Sequence, residues 1–76
     1  MKQYHILWES KIDNLYDVFV YCTEETGNYD GYLVIKDGKT TLLKEKTDFV
    51  YGAKFGIDDE DIQKWEKRCV DFINCL

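Results

Sequence analysis

The chain contains no proline, a single serine (Ser10), a single histidine (His5), and three cysteines (Cys22, Cys69 and Cys75) that follow no pattern. Each scarcity removes a class of chemistry. Nucleophilic catalysis needs a nucleophile and a base that orients and deprotonates it, so it would have to run through His5 with Ser10 or with a cysteine. His5, however, lies in a bulky run over residues 4–8 that reads as a strand. A structural zinc site takes four Cys or His ligands, commonly as closely spaced pairs; the chain owns four such residues in all, two of them on different faces of one predicted helix. An odd cysteine count without C-x-x-C spacing is not the even disulfide framework of a small secreted domain. The first ten residues lack the apolar core of a signal peptide, and no apolar run approaches the roughly 20 residues that span a membrane. Dinucleotide, Walker and kinase motifs are absent, and the acidic run 58–61 lacks the alternation and central glycine of an EF-hand loop. The expectation is a cytoplasmic, non-enzymatic protein with reduced thiols, no cofactor and no metal.

Aromatic and acidic side chains are abundant instead. Twelve of the 76 residues are Phe, Tyr or Trp. A chain of this length is expected to form a single domain over residues 1–76 and to fill a small core with bulky groups. The net charge is −5, which opposes direct binding to nucleic acid or to anionic membranes. That charge is unevenly placed: residues 1–38 carry a net −4, residues 39–57 a net +2 and residues 58–76 a net −3.

Local patterns predict an α+β fold, an antiparallel meander of four to five strands with one C-terminal amphipathic helix packed on one face. The helix is predicted over 59–75. Ile57 and Ile62 bracket Asp58 as a hydrophobic staple brackets an N-cap, and Asp59, Glu60 and Asp61 place negative charge where the helix dipole favours it. Ile62, Trp65, Cys69, Phe72, Ile73 and Leu76 fall on one stripe at helical period, which leaves Cys69 a core thiol and Cys75 off the stripe and exposed. Strands are predicted over 4–8, 17–23, 31–36, 39–46 and 48–55. The second is apolar on both faces and reads as central. Asp37-Gly38 is the best hairpin signal; a two-residue turn there sets Leu33 opposite Leu42 and Ile35 opposite Thr40. Residues 24–30 read as a longer acidic loop with Gly27, Asn28 and Gly31 supplying its turns.

Three functional readings arise. An aromatic face near the basic stretch (Tyr51 and Phe55 with Lys39, Lys44, Lys46 and Lys54) has parts of a single-strand nucleic-acid platform, but the overall charge opposes it. A small-ligand pocket between sheet and helix would be lined by Trp8, Phe19 and Trp65. The leading reading is surface recognition: a small acidic protein-binding module that inhibits or regulates a basic, nucleic-acid-handling protein. It has the size and composition of small inhibitors encoded by phages and mobile elements. Its expected contact residues are Glu24, Glu25, Tyr29, Asp30 and Tyr32. The sheet face away from the helix carries tyrosines and is the expected interface, with self-association into a homodimer among its uses.

Overall fold

Each strand joins the next through a tight turn, and each turn places its positive φ angles at particular residues. The computed structural model describes residues 3–47 and 57–76. Four strands, β1 (Gln3–Ile12), β2 (Tyr16–Glu25), β3 (Asn28–Asp37) and β4 (Thr40–Thr47), form one antiparallel sheet in the order β1-β2-β3-β4, and helix α1 (Asp59–Asn74) follows. The fold is an α+β meander with a C-terminal helix, as the strand and helix patterns predict. The predicted fifth strand, 48–55, lies outside the described residues, as do Tyr51, Lys54 and Phe55.

The strands run longer than their apolar cores suggest. The predicted acidic loop 24–30 is instead a hairpin: Glu24 pairs with Tyr29 and Glu25 with Asn28, leaving only Thr26 and Gly27 as the turn. Both take positive φ (50° and 81°), the pattern of a type I′ turn, whose twist matches that of the flanking strands. Asp13 and Asn14, at φ 56° and 54°, make the β1–β2 connection, with the Leu15 amide donating to the Ile12 carbonyl at 3.1 Å.

The β3–β4 hairpin corrects the predicted register. The turn falls one residue later, on Gly38-Lys39, with Gly38 at φ 59°. A bulge at Leu42 follows, so that Ile35 pairs with Leu43 and Leu33 with Glu45. A regular ladder from that turn would carry Lys44 onto the helix side. The extra residue sends Lys44 and Lys46 to the opposite face and leaves both Leu42 and Leu43 packed against the core. A second bulge, between Ile6 and Trp8, likewise turns both Leu7 and Trp8 toward the core.

The core lies between one sheet face and α1: Val18, Val20, Leu33 and Ile35 meet Trp65, Cys69 and Ile73. The predicted helix stripe holds through Ile73, but Leu76 lies past the helix end and is exposed. Asp58 occupies the N-cap position with extended backbone. Its carbonyl accepts from the amides of Asp61 and Ile62 at 3.1 and 3.2 Å, while its side chain makes no capping bond. Among the described residues no helix is long and apolar enough to cross a membrane.

Candidate functional site

Strand alternation divides the predicted contact residues between two faces. Glu24 and Tyr29, paired across β2 and β3, share the helix side with His5. There the Tyr29 hydroxyl donates to Glu24 Oε1 at 2.9 Å, and His5 Nε2 lies 3.3 Å from Glu24 Oε2. Both groups are partly buried, so the Glu24 carboxylate is held in place rather than free to swing. Glu25, Asp30 and Tyr32 occupy the opposite face. Glu25 is exposed, Asp30 lies 3.6 Å from Lys46 Nζ, and the Tyr32 ring stacks on Tyr21 with centroids 5.4 Å apart. The five residues thus share one region of the sheet but not one surface.

The topology adds a second acidic segment to that region. Trp65 Nε1 donates to Thr47 Oγ1 at 3.2 Å, and Arg68 grips Glu45 with two hydrogen bonds of 2.8 and 3.1 Å. Going from Trp65 to Arg68, α1 therefore retreats from the end of β4 toward its middle, antiparallel to the strand. The helix N-terminus, with Asp58, Asp59, Glu60 and Asp61, consequently points past Thr47. Thr47 pairs with Gly31, next to Asp30 and close to the Glu25–Asn28 turn. This direction carries the first turn of α1, with its four acids, toward the end of the sheet that holds Glu24, Glu25 and Asp30. Hydrogen bonding to Glu45, and then its charge, raise the Arg68 pKa further above its ordinary value.

The trio Trp8, Phe19 and Trp65 is not assembled. Trp8 and Trp65 meet in the core with ring centroids 6.3 Å apart. Phe19 faces the other way, against Tyr21 at 6.0 Å, and lines a shallow hollow of about 410 Å³ with Glu9, Lys11 and Asp17. The signal was present in the run 17–23: Val18, Val20 and Cys22 alternate with Phe19 and Tyr21, and two opposite faces result.

Of the possible nucleophiles, Cys22 is paired directly with His5 across β1 and β2, whereas Ser10 is set apart from it. Ser10 and His5 are five residues apart on β1, about 16 Å along a strand. Cys22 and Cys69 are buried and Cys75 is exposed. Burial pushes the Cys69 thiol up to about 11, against the smaller opposing effect of the Arg68 charge. Among the described residues no group of three or more His, Cys, Asp or Glu side chains is placed to hold a metal ion.

The face away from the helix carries the tyrosines that the sequence predicts for it, set in a row. Tyr4 lies 6.0 Å from Tyr21, Tyr21 stacks on Tyr32, and Lys44 Nζ sits 5.1 Å above the Tyr32 ring. Comparison with known proteins adds no assignment: no family model, curated protein or solved structure matches the chain.

Proposed function

We propose that this chain is a non-enzymatic protein-binding module whose acidic pole occupies the basic surface of a nucleic-acid-handling protein and so inhibits or regulates it. The supporting observation is the convergence of Glu24, Glu25 and Asp30 with Asp58, Asp59, Glu60 and Asp61 at one end of the fold. The backbone that carries these carboxylates is already ordered as a hairpin and a helix turn, so little backbone freedom is lost when they meet a complementary surface. Their summed field would speed encounter with a basic partner and reject acidic ones. Nucleic acid itself would be repelled by the net charge of −5.

The test is capture of partners from native lysate by immobilised protein at about 50 and 500 mM salt, with mass-spectrometric identification. A basic partner released at high salt, and lost in the double variant Asp59→Lys/Glu60→Lys, supports the reading. A partner held equally at both salts, or retained by that variant, overturns it, because screening over a Debye length of about 10 Å or less must weaken a charge-driven contact.

A further inference from the structure

We propose that the sheet face turned away from α1 is a homodimer interface, on which a second copy of the chain packs face to face with its two-fold axis parallel to the strands. This surface meets the acidic pole only at Glu25 and Asp30, and the proposal goes beyond the function argued above.

Three observations carry it. The first is apolar exposure. Tyr4 and Ile6, on β1, are 65% and 59% exposed beside the half-buried rings of Phe19, Tyr21 and Tyr32. Tyrosine is favoured at interfaces because it presents a large rigid apolar area with a polar tip.

The second is charge. The β1–β2 half of the face carries Glu9, Lys11, Asp17 and Glu25, a net of −2. The β3–β4 half carries Asp30, Lys36, Lys44 and Lys46, a net of +2. The face is therefore neutral on a chain of −5, and it is divided lengthwise into halves of opposite sign. A two-fold axis running between β2 and β3 lays each negative half on the partner's positive half and sets the Tyr21–Tyr32 stack of one copy over that of the other. An isologous interface requires such self-complementarity. An axis running across the strands would instead stack like halves together.

The third is area. Strands of eight to ten residues at about 3.3 Å each, four abreast at about 4.8 Å, make a face on the order of 600 Å². Two such faces hide about 1,200 Å² in total, at the lower edge of stable specific interfaces. The dimer is accordingly expected to be of moderate affinity and to show a concentration-dependent mass.

Sedimentation equilibrium of the full chain from about 1 to 100 μM is the test, the protomer being 9.1 kDa. The expected result is a weight-average mass rising toward twice that value across the series. In Ile6→Lys and in Lys44→Glu the mass stays at the protomer value while the far-UV circular dichroism spectrum is unchanged, since both side chains are exposed. Asp59→Lys/Glu60→Lys leaves the dimer intact, which separates this proposal from the reading of the acidic pole. A protomer mass throughout the wild-type series overturns the proposal, as does a dimer that survives both face variants. A monomer whose tyrosine fluorescence is quenched by a single-stranded oligouridylate also overturns it, and assigns the rings to base stacking instead.

Discussion

Thr47→Val is expected to lower stability by about 1–2 kcal/mol, and the whole of that loss should depend on Trp65. Trp65 is 1% exposed in the centre of the core, and its indole N–H donates to Thr47 Oγ1 at 3.2 Å. Valine has nearly the shape of threonine, so the substitution keeps the packing and removes the acceptor. The buried N–H is then left without a partner, at a penalty of roughly 1–3 kcal/mol. In a chain of this size each kcal/mol lowers Tm by about 4–8 °C. Trp65→Phe removes the donor and part of the ring, with an expected loss of about 2 kcal/mol from the unfilled volume. In the Trp65→Phe background, Thr47→Val should then change stability by less than about 0.5 kcal/mol. The assay is urea unfolding of the four proteins followed by far-UV circular dichroism, with the m-value checked for constancy. The coupling energy of the cycle isolates the hydrogen bond. Additive losses, or a negligible effect of Thr47→Val alone, would refute the assignment of this bond as a tie between helix and edge strand, beside that of Arg68 to Glu45.

Two further outcomes follow from the core and the bulges. The Cys69 pKa is raised in the folded state to about 11 from 9.0, so between these values the unfolded chain releases a proton that the native one retains. Stability is therefore complete below pH 9 and falls as pH rises toward 11, by up to about 2–3 kcal/mol from this group; urea midpoints at pH 8 and 10 should differ less in Cys69→Ala than in the wild type. Deleting Leu42 removes the β4 bulge without changing which residues face the core, because Leu43 still meets Ile35 and Lys44 still meets Val34. The loss should be only the half-buried leucine, about 1–2 kcal/mol, with an unchanged circular dichroism spectrum; a deletion variant that fails to fold would show that the bulge is indispensable.

Some parts of the architecture could be read locally and others could not. The helix was legible because three independent signals coincide: the Ile57/Ile62 bracket, the acidic first turn and the stripe through Trp65, Cys69 and Ile73. The meander was legible because runs rich in β-branched and aromatic residues are separated by short polar stretches. The register of β3 and β4 was not. The segment Asp37-Gly38-Lys39 can turn about either pair, and only the requirement that Leu43 reach the core while Lys44 reaches solvent selects Gly38-Lys39 with a bulge. The loop predicted over 24–30 was misplaced for a similar reason. Its glycines and asparagine favour turns wherever they stand, but pairing of Thr23 with Asp30 and of Glu24 with Tyr29 extends the ladder to the last possible residue.

The site divides along the same line. The residues singled out in the acidic stretch were visible as composition. Their separation onto two faces follows from a period of two that acts only once the strand is known to continue. The sequence predicts Phe19 under the helix, and the structure places it on the other face, because β2 is apolar on both sides and apolarity alone does not say which side the helix covers.

By itself, the sequence determined the scarcity of catalytic groups, the class of fold, the helix and the sign of the net charge, since these depend on composition and on neighbours a few residues apart. Tertiary structure alone decided three things: that α1 runs antiparallel to β4, bringing two remote acidic segments to one pole; that Lys44 lies over Tyr32; and that opposite charges divide the tyrosine face lengthwise. Each depends on strand register and helix direction, which are settled by long-range burial of side chains rather than by any local preference.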